Sequence, residues 1–213
     1  MDSERAFMVD PTGVVTDRAF SHGRPVVSAS ALEDGTVVLA GNIAERGENG
    51  RFDQAALWGY APDGSLQFQH LARPQDGYNR LITTVHGEGG WVYALQSVLP
   101  EVNAVTGLPS RNNYDGRARI VLVAYAPGGH ESYRTTIDEV VPDLAVEIER
   151  EAPSAFFFDP AIGLGPSGLW VAWTHVEITS RTESGRIKDG RVTVRARLLT
   201  PNPRGTTILY DEE

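Results

Sequence analysis

The sequence predicts an all-β fold of repeated four-stranded antiparallel units, and three observations carry that reading. Turn residues recur: Pro11-Thr12-Gly13, Pro62-Asp63-Gly64, Pro127-Gly128-Gly129 and Pro201-Asn202-Pro203-Arg204-Gly205 each set a φ-restricting proline ahead of a glycine free to take φ > 0. The segments beside those turns alternate at period two, as Leu66, Phe68 and His70 do, and no stretch carries a convincing helical period. A second kind of unit, a strand, a glycine turn and another strand, precedes each complete hairpin, so one order repeats along the chain.

The clearest hairpin spans residues 55–72, where the apolar run 57–60 meets Pro62-Asp63-Gly64 and an alternating strand returns. Looser copies cover residues 5–20, 120–137 and 192–210. The other unit appears at 26–40 with its turn at Glu33-Asp34-Gly35, at 81–95 with its turn at 86–90, and at 155–173 with its turn at 163–168. In residues 142–151, Leu144, Val146 and Ile148 alternate with Ala145, Glu147 and Glu149, which favours an extended segment over a helix.

Taken in order, the strands form a leading pair and three sets of four within one domain: a half unit at 1–20 and full units at 24–72, 79–137 and 155–211. A self-similar four-stranded unit of about 40 to 50 residues is the signature of a propeller blade. The pattern resembles the β-propeller repeat families, most closely at Asp34-Gly35-Thr36-Val37-Val38-Leu39-Ala40-Gly41 and Tyr60-Ala61-Pro62-Asp63-Gly64-Ser65-Leu66. The resemblance implies a β-propeller-like array of four-stranded antiparallel blades, about three and a half of them in this chain. It also implies tight turns on one rim and, on the other, the long connections 42–53, 73–80, 99–117, 138–154 and 179–190. Binding usually resides in such loops on a rigid scaffold. Gly90-Trp91-Val92-Tyr93-Ala94-Leu95 is similar to a strand of quinoprotein-type propellers but occurs once and implies no cofactor; the Ser-x-Asp-x-Gly-x-x-Trp box of sialidase-like propellers is absent. Closed propellers have about 4 to 8 blades, so an array this short predicts an uncovered end, completed either by more chain in the native protein or by self-association or a protein partner.

Composition narrows the function classes. With 28 acidic against 19 basic residues the net charge is −9, which disfavours a phosphate backbone as partner and predicts no nucleic acid. The apolar runs are too short to cross a bilayer as helices, and the first residues, Met-Asp-Ser-Glu-Arg, encode no signal peptide. The absence of cysteine removes disulfides, thiolate catalysis and cysteine-ligated zinc.

Few residues form a chemical constellation. Gly163-Leu164-Gly165-Pro166-Ser167-Gly168 matches G-x-G-x-x-G, but a strand-like segment follows it where a dinucleotide site needs a helix. The five histidines show no ligand spacing, so none is assigned to a metal, and no G-x-S-x-G elbow supports a serine nucleophile. Two oxygen-rich loops are the candidate binding residues: Asn112, Asn113, Tyr114 and Asp115 in one, and Asp138, Glu139 and Asp143 at the start of an acidic stretch expected to be a solvated loop. The tryptophans, Trp58, Trp91, Trp170 and Trp173, are expected to pack between sheets. These features predict a non-catalytic binding or assembly module. A carbohydrate-active or other hydrolytic propeller and a structural subunit of a larger particle are the alternatives.

Overall fold

The computed structural model describes residues 4–9, 15–20, 26–47, 50–72, 78–99, 118–140, 154–181, 187–200 and 207–212. Apart from one 3-10 turn at Glu88–Gly90, the regular structure in them is β-strand. β1 (Glu4–Val9) and β2 (Val15–Phe20) make an antiparallel pair. β3 (Val26–Ala31), β4 (Val37–Gly47), β5 (Gly50–Tyr60) and β6 (Leu66–Leu71) form a first antiparallel meander, each strand beside the next. A second meander holds β7 (Tyr78–His86), β8 (Val92–Leu99), β9 (Ala118–Tyr125) and β10 (Glu131–Val140). The third holds β11 (Ser154–Gly165), β12 (Gly168–Arg181), β13 (Ile187–Thr200) and β14 (Thr207–Glu212). One parallel pair, Gln54 with Asn79, links the first two meanders into an eight-stranded sheet. No sheet closes on itself among the described residues.

The turns follow from local chemistry. Gly35, Gly64 and Gly129 take φ of 82°, 87° and 81°, where a side chain would be strained. In the loops at 32–36, 61–65 and 126–130 the first residue's N–H bonds the fifth residue's carbonyl, and the glycine N–H bonds the first residue's carbonyl. Asp34 accepts the Thr36 N–H at 2.9 Å and Asp63 the Ser65 N–H at 2.9 Å, so two Asp-Gly turns are braced alike. Those bonds to Thr36 hold the Asp34 carboxyl below its usual range. The third meander departs from the expected glycine alignment: β11 continues to Gly165, pairs it with Gly168, and leaves only Pro166 and Ser167 as the turn. The G-x-G-x-x-G match therefore lies in a strand hairpin, not at a helix start.

Alternation along the middle strands decides how the meanders stack. Val38, Ala40, Ala55 and Leu57 of the first pack with Val92, Ala94, Val121 and Val123 of the second. The intervening residues Tyr93, Leu95, Ile120 and Leu122 turn the other way and pack with Leu169, Val171 and Trp173 of the third. The second meander is thus buried on both faces, and each full-size side chain there contributes about 1.5–3 kcal/mol. On the first meander's far face, Val37, Leu39, Ala56, Trp58 and Tyr60 form a third buried cluster. β7 also lies against β3 and β11, and Ser28 on β3 meets Thr84 on β7 through their hydroxyls at 2.9 Å.

Candidate interaction surface

Of the residues singled out as binding candidates, Asn112, Asn113, Tyr114, Asp115 and Asp143 lie outside the described residues, as does the segment 142–151. Asp138 and Glu139 are described, and they stand on β10 rather than in a solvated loop. Glu139 accepts from Arg119 Nε at 3.3 Å across the β9–β10 ladder, an exposed pair of about 0–1 kcal/mol.

Asp138 is enclosed. β12 alternates so that Trp173 and His175 follow Leu169 and Val171 on the face turned to the second meander, and cross-strand pairing puts Arg195 of β13 beside Trp173. Three donors converge on one carboxylate oxygen: Trp173 Nε1 donates to Asp138 Oδ2 at 2.8 Å, Arg195 Nη1 at 3.1 Å, and His175 Nδ1 stands at 3.2 Å. The Glu139 N–H donates to the other oxygen at 2.8 Å. Arg197 hydrogen-bonds the Ile137 carbonyl and holds its guanidinium 5.6 Å from the centre of the Trp173 ring, within cation–π range. His175 Nε2 lies 3.6 Å from Glu177 Oε1, so the imidazole is bracketed by carboxylates. The Asp138 side chain is 12% exposed and that of His175 7%. These enclosed groups face each other across two meanders and lock one to the other. Among the described residues no group of three or more His, Asp or Glu is placed to hold a metal ion.

The alternation that turns Trp173 inward turns its neighbours outward. Trp170, Ala172, Thr174 and Val176 pair across the ladder with Leu198, Ala196, Val194 and Val192, and cross-strand partners share a face. That outer face is open in part: Val192 is 68% exposed, Val194 70% and Trp170 40%, while Ala172, Thr174, Val176, Ala196 and Leu198 are half-buried. Trp58 and Trp173 are buried and Trp91 half-buried, as expected, whereas Trp170, on the face of β12 opposite Trp173, is 40% exposed. No protein-family model matches the chain, and no curated protein matches it either. The surfaces themselves therefore carry the functional reading.

Two clefts among the described residues open beside the tight turns rather than the long connections. One, about 290 Å³, lies between the first and second meanders beside Asp34, Phe68 and Gly128. The other, about 470 Å³, lies between the second and third and is lined by Glu88, Trp91, Tyr93, Leu164 and Ser167. Burial pushes the Tyr93 hydroxyl above its ordinary value.

The lock and the open face both escaped the reading from sequence, although one signal for them is present. Residues 191–198, Arg-Val-Thr-Val-Arg-Ala-Arg-Leu, alternate strictly between a polar, largely cationic row and an apolar row. That is a strand with one face committed to polar partners and one to apolar contact.

Proposed function

We propose that this chain is a non-catalytic binding or assembly module, a β-propeller-like array whose blades are the three meanders and whose half blade is the β1–β2 pair. Supporting the propeller reading are three consecutive four-stranded antiparallel meanders stacked face to face, and the convergence of β3, β7 and β11, the first strand of each. The observation that carries the assembly reading is the outer face of the third meander, where Val192 and Val194 stand exposed in an uncharged row. An apolar patch of this kind marks an interaction site. A glycosidase would need two carboxylates about 5 to 9.5 Å apart in an open cleft; among the described residues the wider cleft is lined by one, Glu88, and the narrower by the sequence neighbours Glu33 and Asp34.

The test is the double variant Val192→Glu, Val194→Glu. Both side chains are largely in water, so its circular-dichroism melting curve should match the wild type. Its binding of an apolar reporter dye and its retention on a hydrophobic-interaction column should fall sharply. Equal dye binding and retention in the two proteins would remove the assembly reading.

A further inference from the structure

We infer that the cleft between the second and third meanders binds an arginine side chain carried on a peptide segment of a partner protein. Trp170, Val192 and Val194 do not line this cleft, so the inference holds or fails separately from the reading of the outer face. Three chain segments make the cleft. The first is the turn into β8, where the Gly87 N–H bonds the Trp91 carbonyl at 2.8 Å and Trp91 takes up extended backbone. Trp91 and Tyr93, two residues apart, therefore project to one side, the side packed on the third meander. A Cβ at Gly87 would lie 2.8 Å from Tyr93 Cε2, so bare backbone is what lets that ring settle against the turn. The second segment is the two-residue turn Pro166-Ser167 between β11 and β12, with Leu164, 39% exposed, just before it. The third is Thr200 at the end of β13.

The lining selects its ligand by what it offers and what it lacks. Glu88, which is exposed, is the one charged residue among the described residues that line the cleft. An anion would meet that carboxylate and the chain's net charge of −9 with no lining lysine or arginine to offset them. A sugar ring would call on amide side chains for its hydroxyls, and the described lining holds neither Asn nor Gln. An arginine finds a partner for each of its parts. Its guanidinium plane stacks on an aromatic face and forks onto a carboxylate, while its stem lies along apolar side chains. The half-buried Trp91 and Glu88 supply the first two, and Leu164 and Pro166 the third. Lysine, a compact and strongly hydrated point charge, would use the indole less well. The cleft's volume of about 470 Å³ falls within the roughly 300–1,000 Å³ of ligand pockets, which leaves room for flanking peptide backbone beside Ser167 and Thr200.

The test is an NMR titration of the isotope-labelled full chain with the blocked tripeptide Gly-Arg-Gly. The peptide should shift the Trp91 indole N–H resonance, identified by its loss in Trp91→Phe, and the shift should saturate. The same peptide with citrulline, which keeps the shape of arginine without its charge, should bind about tenfold more weakly. Glu88→Gln, at an exposed turn residue, should weaken the arginine peptide about fivefold. Ser167→Lys, also at an exposed position, sets a cation in the cleft and should abolish binding, and both variants should keep the wild-type melting curve. Ethylguanidinium alone should bind more weakly than the peptide; equal affinity would overturn the peptide partner in favour of a free guanidinium compound. Equal affinity for the arginine and citrulline peptides would overturn the cation. Unchanged binding in both variants would overturn its place in this cleft, and no shift at millimolar peptide would overturn the site altogether. In each of these cases the Val192→Glu, Val194→Glu measurement still decides the assembly reading by itself.

Discussion

The two interfaces of the stack use the same architecture and different means of alignment. Between the first and second meanders the key is shape: the Phe68 ring rests on bare backbone at Gly59 and Gly129, where an added Cβ would lie 2.1 and 2.0 Å from ring atoms. Tyr125 meets His70 edge-on nearby, with ring centres 4.8 Å apart. Between the second and third, an apolar floor carries an ionic lock in which one oxygen of Asp138 gathers an indole, an imidazole and a guanidinium. The difference teaches that close packing alone can register two sheets where glycine lets a ring approach. Where Trp173 and Arg195 stand instead, a buried charge with several directional partners does that work.

The largest expected effect breaks the lock. Asp138→Ala leaves Arg195 enclosed without its carboxylate and should lower stability by about 3–5 kcal/mol in denaturant unfolding. Asp138→Asn, which keeps an acceptor oxygen, should cost clearly less. Equal costs for the two would mean that the Asp138 charge contributes nothing to the interface.

The shape key is probed next. Gly129→Ala combines an unfavourable φ with collision against Phe68 and should cost about 2–4 kcal/mol. Gly64→Ala, at nearly the same φ but with nothing within 4 Å, should cost only about 1 kcal/mol. Pairing Gly129→Ala with Phe68→Leu should recover part of the larger loss, and fully additive costs would argue against the clamp.

The smallest effect is a pH dependence. Tyr93, in the second interface, ionises in the unfolded chain near pH 10 but at a raised value when folded, because burial disfavours its charged form. Above pH 10 the unfolded chain releases a proton that the folded chain still holds, so stability falls as pH rises toward the folded value. Tyr93→Phe should flatten that part of the stability profile. An unchanged slope would assign it to other groups, such as Tyr60, which burial shifts the same way.

Local information in the chain was enough to mark the turn glycines Gly35, Gly64 and Gly129, and period-two alternation was enough to mark strands and their grouping in fours. Both are short-range matters: a positive φ demands glycine whatever surrounds it, and a pleat exposes alternate residues wherever it lies. The fate of Trp170 and Trp173 was of another kind. Three residues apart on one strand, they occupy opposite faces, yet the burial of Trp173 came from the second meander packed on its face. Asp138 is the same case, since its partners Trp173 and Arg195 stand 35 and 57 positions further along the chain. Strands and turns were determined by the sequence itself, whereas only the stacking of the meanders decided which acid became a lock and which apolar row was left open. A residue's neighbours across an interface are set by how whole sheets meet, and no local pattern of residues encodes that meeting.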